Sequence, residues 1–171
     1  RFRDSVYLED LTTTTETNIL VVDSNGLMSK NTTLPGTSGR RYGSTIKILP
    51  SDFMINDDAA SPLSFKDGVN TGVHVNNTAN ELVAFVTIPE GMKATHVDIY
   101  ATHNKDFEVH ELDINSSYNF TTGTARGTGT TNTQLDITDT NATATNYLVI
   151  LIESNATSQR FWGGLVTIAP Q

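Results

Sequence analysis

Four histidines and a set of carboxylates are the side chains here whose types and spacing bear on chemistry: His74, His96, His103 and His110. His96 and Asp98 lie two apart, as do Glu108 and His110. On strands, residues two apart share a face. Two such strands side by side would gather imidazole and carboxylate for a borderline metal. The spacing is none of the compact zinc patterns, so both pairs read as solvated strand faces and no metal is expected. Asp52, Asp57 and Asp58 cluster near Asn56, and Asp23-Ser-Asn-Gly26 has the same flavour. Calcium takes several oxygens, yet neither stretch carries the spaced series and distal Glu of an EF-hand loop. Both read as turn chemistry.

Nucleophilic and phosphate chemistry is no better marked. Gly36-Thr-Ser-Gly39 and Gly43-Ser-Thr45 lack the Lys before Ser/Thr that a phosphate loop needs. No serine sits in a G-x-S-x-G elbow. Acidic pairs exist, but none marks a glycosidase. No catalytic residue and no cofactor are expected, and the chain reads as a non-enzyme. Sequons at Asn76, Asn115, Asn119, Asn141 and Asn155 arise by composition in a Thr/Asn-rich chain. Trp162, Phe161, Tyr147 and Tyr118 are a possible sugar-stacking surface; in strands such rings more often fill a core.

Composition bounds the rest. The 171 residues suffice for one domain and a short appendage. The net charge of −8 opposes phosphate contact, so nucleic-acid binding is not expected. There is no cysteine, which removes disulfides and thiolate sites. Apolar runs fall far short of the roughly 20 residues of a membrane helix, so no membrane insertion is expected. The chain starts at Arg1, which reads as a fragment, a processed product or the ordered part of something longer.

The elements that must position these groups are strands. Leu82, Ala84, Val86 and Ile88 alternate, as do Thr95, Val97, Ile99 and Ala101 against His96, Asp98 and Tyr100. Pro89-Glu-Gly91 between them signals a turn. Phe107 and Val109 have the opposite parity to Leu112 and Ile114, which predicts a β-bulge near His110–Glu111. Strands are also expected at 45–49, 72–75 and 133–138, and a flexible loop at 123–131. The runs 146–152 (NYLVILI) and 160–168 (RFWGGLVTI) read as two strands joined by a tight connection. Gly163-Gly164 beside Trp162 signals a bulge or a close backbone approach, read as a subunit contact.

The expected fold is therefore all-β: an antiparallel β-sandwich or jelly roll over 44–171, preceded by a β-hairpin leader over 1–43. In the leader, Asn18 to Val22 and Leu27 to Lys30 flank Asp23-Ser-Asn-Gly26, and 34–40 (LPGTSGR) reads as a linker. A two-stranded hairpin is marginal alone, so the same segment of sister chains is its expected support.

The stretch LVAFVTIPEGMKATHVDIY, with NYLVILIE and RFWGGLVTIAPQ, resembles C-terminal domains of virion structural proteins from tailed marine phages, cyanophages among them. The leader NILVVDSNGLMSKNT resembles the segment before the terminal domain of phage tail fibres. The resemblance implies a trimeric, β-structured end domain acting in assembly and host attachment, located in the virion and made in the host cytoplasm. Its implied partners are itself as a homotrimer, other virion proteins, and a host surface glycan or protein. It transfers no catalytic residue. A capsid decoration or baseplate module and a carbohydrate-binding β-sandwich are the alternatives. Receptor contact is expected at His103, Asn104, Lys105, Arg126 and Thr128, on loops 101–106 and 123–131. Subunit contact is expected at Ile19, Val21, Leu27, Trp162 and Gly163.

Overall fold

The computed structural model describes residues 19–22, 28–31, 43–56, 63–69, 71–76, 81–117, 124–154 and 157–171. Contacts divide the chain into two units, before and after the Arg41–Tyr42 bond. In the first, β1 (Ile19–Val22) and β2 (Met28–Asn31) pair antiparallel, Ile19 opposite Asn31 and Val22 opposite Met28. This is the expected leader hairpin. Its turn at Asp23–Gly26, Leu27 and the linker lie outside the described residues.

The second unit is an antiparallel sandwich. Its strands are β3 (Thr45–Ile48), β4 (Phe53–Ile55), β5 (Leu63–Lys66), β6 (Gly72–Val75), β7 (Glu81–Val86) and β8 (Met92–Ala101), then β9 (Asp106–Asp113), β10 (Thr124–Thr130), β11 (Leu135–Asn141), β12 (Asn146–Glu153) and β13 (Phe161–Pro170). One sheet runs β10-β9-β12-β7-β4; the other runs β11-β8-β13-β6-β5, with β3 also on β13. Between them lie Leu82, Ala84 and Val86 of β7, Phe107 and Val109 of β9, and Leu148, Ile150 and Ile152 of β12. They meet Val97, Ile99, Phe161, Val166 and Ile168 of the facing sheet. Each Val, Leu, Ile or Phe side chain among them contributes about 1.5–3 kcal/mol when fully buried.

The alternation read at Leu82–Ile88 holds throughout, and these four residues are buried. Pro89 O accepts from Met92 N at 3.0 Å, and Gly91 supplies the positive φ of that turn. In β8 the alternation holds from Val97 onward. At the other end His96 pairs with Thr167 and Ala94 with Ile168, so Thr95 is bulged out and Ala94 takes the core position.

Two expectations need correction. No bulge occurs in β9, which pairs with β12 without a slip from Phe107 to Asp113. The parity change arises because this sheet is apolar on both faces: Phe107 and Val109 point into the sandwich, while Leu112 joins Val83, Val149 and Tyr147 on the outside. The irregularity sits on the partner strand β10, where Arg126 is the extra residue between Ala125 and Gly127.

The expected loop at 123–131 is largely strand β10. Gly127 and Gly129 are strand residues because Leu135 and Ile137 of β11 press on them. A Cβ on Gly129 would lie 3.1 Å from that of Leu135. The missing side chains let one sheet close onto the other.

The strands expected at 146–152 and 160–168 are present as β12 and β13, and they lie in different sheets, β12 central in one and β13 in the other. Gly163-Gly164 marks both a bulge and a close backbone approach within the chain. Trp162 is the bulged residue, Gly163 has φ +128°, and a Cβ on Gly163 would strike the Ile48 carbonyl. Strands β4 and β5 and the 3-10 turn Pro50–Asp52 escaped the pattern, being three or four residues each.

Candidate functional site

The outer face of the five-stranded sheet is where this sandwich opens. Cross-strand register sets its rows. At one end Thr130 faces Asp106, and Glu153 faces Glu81. In the next row Thr128 faces Glu108, which faces Leu151, which faces Val83. His110, Val149 and Phe85 form the third row, and Leu112 and Tyr147 pair in the fourth.

Two cavities open on this face. The first, about 620 Å³, is lined by Glu81, Asp106, Glu108, Glu153, Thr128 and Asn56, among others. Asn56 Nδ2 donates to Glu81 Oε2 at 2.8 Å, holding that carboxylate at the rim. Glu108 Oε2 lies 2.9 Å from Nε2 of the buried His110. Thr130 Oγ1 donates to Asp106 Oδ1 at 3.4 Å. Each carboxylate keeps further lone pairs for a ligand. The second cavity, about 350 Å³, is lined by Phe85, Tyr147, Thr87, Thr143 and Thr145, among others. The Phe85 and Tyr147 rings stand 6.1 Å apart at 49°, a tilted aromatic pair. Phe85 is 50% exposed, whereas Tyr147 leans on the small cluster of Val83, Leu112 and Val149.

Behind this second cavity, one end of the sandwich is pinned by a polar network. Asn146 Nδ2 donates to Glu111 Oε1 at 2.5 Å and to Asn141 O at 2.8 Å. Its Oδ1 accepts from Thr143 N at 2.7 Å. Arg126 pairs with the other oxygen of Glu111.

The expected receptor contacts scatter against this geometry. Thr128 lines the first cavity. Arg126 does not stand free on a loop; it is half-buried and committed to Glu111. His103 and Asn104 are exposed, yet their backbone is tied down. His103 O accepts from Thr131 Oγ1 at 2.9 Å and Gln159 Nε2 at 3.1 Å, and Lys105 N donates to Thr131 Oγ1 at 2.9 Å. Asn132 Nδ2 donates to Asn104 Oδ1 at 3.2 Å. That corner is the expected loop, the connection between β8 and β9, and it is held by these hydrogen bonds.

Of the subunit-contact residues, Ile19 and Val21 lie in β1. Trp162 is 48% exposed on the six-stranded sheet, against the expectation that it fills a core, while Phe161 is fully buried. Tyr118, Asp57, Asp58, Asn119 and Asn155 lie outside the described residues.

The two His–carboxylate pairs stay apart, since β8 and β9 belong to different sheets. His96 Nε2 sits 3.7 Å from Asp136, and Asp98 accepts from Gln134 at 3.2 Å. Asp52 caps the 3-10 turn, accepting from Leu49 N at 2.8 Å. Among the described residues no group of three or more His, Asp or Glu is arranged to hold a metal, and no helix is long and apolar enough to cross a membrane.

Phe85 and the acidic rim escaped the sequence reading. A signal was present: Leu82 to Val86 and Tyr147 to Ile152 are apolar at both parities, which marks a sheet with a second, partly covered face.

No family model matches the chain, and no curated protein matches it. Solved structures that align with this chain include the CBM36-1 domain of a multidomain xylanase from the hindgut metagenome of Trinervitermes trinervoides. That match has 8% identity and a TM-score of 0.45, and covers 74% of this chain and 99% of that one. A family 6 carbohydrate-binding module gives 12% identity and a TM-score of 0.39, over 74% and 94% of the two chains. A CBM4 structure gives 14% and 0.36, over 72% and 89%. Overlap this low transfers no function to this chain.

Proposed function

We propose that the second unit is a non-catalytic attachment module that holds a glycan on the outer face of its five-stranded sheet. The observation that carries this is the pair of open cavities on that face, one walled by the Phe85–Tyr147 pair and one rimmed by carboxylates and hydroxyls. A sugar ring offers an apolar C–H face and a rim of hydroxyls. The first packs on aromatic rings, and the second donates to carboxylates and exchanges hydrogen bonds with threonine. Few convergent polar groups around an apolar wall is the usual composition of a small-ligand site.

The tail-fibre resemblance supplies a setting. On a homotrimeric fibre end in the virion, three weak sites would act together on a host surface and gain avidity without new contacts. Glycan-array binding by the purified chain tests the attachment reading. Wild type should bind, and Phe85→Ala should lose about tenfold or more with its fold intact. A chain that binds no glycan, yet rebinds virions lacking it, overturns attachment in favour of a capsid or baseplate decoration.

A further inference from the structure

The register fixes how far apart the two cavities lie. Tyr147 and Leu151 are four residues apart on β12, and Glu81 and Phe85 four apart on β7. At about 3.4 Å per residue, each span is about 14 Å. We infer that the two cavities are the ends of one extended site, and that its ligand is a linear oligosaccharide carrying free amino groups. This rests on the attachment reading and names the ligand class for it.

The charge at the acidic end selects the class. Glu81, Asp106, Glu108 and Glu153 line that cavity, and among the described residues its lining holds no Lys or Arg. Glu81 and Glu153 face each other directly across β7 and β12. Like charges opposite one another destabilise a sheet. A ligand ammonium placed between them removes that repulsion and pairs with both. Uronate and sulfated chains meet the same carboxylates as repulsion. At the other end the tilted rings of Phe85 and Tyr147 take the apolar face of a sugar whatever its substituents. A short ligand reaches one end only, and a longer chain reaches both.

Calorimetric titration of the full chain tests this, using β-1,4-linked glucosamine oligomers from dimer to hexamer at mildly acidic pH. Their N-acetylated counterparts of equal length serve as the comparison. The glucosamine series should tighten about tenfold or more as the chain becomes long enough to span both cavities, a gain from linkage. It should weaken in high salt, whereas the N-acetylated series should not. Glu153→Gln, which relieves repulsion and so keeps the fold, should remove the preference for free amines. Phe85→Ala should remove the length step. Equal binding of the two series, or no gain beyond the dimer, overturns the inference and leaves attachment standing. Failure of the folded chain to bind any of these sugars, or any array glycan, overturns both.

Discussion

At Gly163 an added methyl group meets the carbonyl of Ile48, and the backbone there holds φ +128°. Strain of this kind costs about 1–3 kcal/mol before the clash is added. Gly163→Ala should therefore lower the urea midpoint clearly. At Asn146, truncation to Ala leaves Glu111 Oε1 and Asn141 O without their donor, and should cost about 1–3 kcal/mol in the same assay. The exposed pair is cheaper: a double-mutant cycle on Phe85 and Tyr147 should return a coupling of about 0.5–1.5 kcal/mol. His74 ties stability to pH. Burial, then the charge of Arg160, hold its pKa below the ordinary 6.5. Above 6.5 it is neutral both folded and unfolded. As pH falls below 6.5 the unfolded chain takes up the proton first, so stability drops until the lowered folded value is reached. Urea midpoints of His74→Gln should change less across that window than those of wild type.

Strand β10 shows what sequence patterns reveal and what they conceal. The strands at 81–86 and 92–101 were legible because their own residues alternate between core and outside. Residues 124–130 (TARGTGT) carry no such record, since glycine is poor in strands by itself. What makes them a strand is non-local: β9 on one side and the side chains of Leu135 and Ile137 above Gly127 and Gly129. Gly129→Val should then overpack the seam and cost about 1–3 kcal/mol, read from the urea midpoint. The proposed binding face was half legible for the same reason. Thr128 was named from its surroundings, but Glu81, Glu153 and Phe85 become neighbours only through the pairing of β7 with β12. Tyr147 was named as a ring, without the partner that gives it a role.

Across the whole molecule, the −8 charge makes the surface a poor match for phosphate or sulfate polymers and a better one for cationic ligands. Light scattering on the purified chain should give three times the 18.6 kDa of one chain if the leader assembles as the fibre reading requires. A monomer would remove the trimer from the proposal while leaving the proposed glycan face untouched.

Strand β13 pairs with β8 on one side and with β3 and β6 on the other. During translation, residues 45–48 emerge with no partner until 164–167 follow. At about 5–20 residues per second, that wait is roughly ten seconds. The six-stranded sheet thus has no stable middle until the ribosome has made its last strand. A nascent chain arrested before residue 161 should stay open to protease, and folding should register as a single late step once 161–170 clear the exit tunnel.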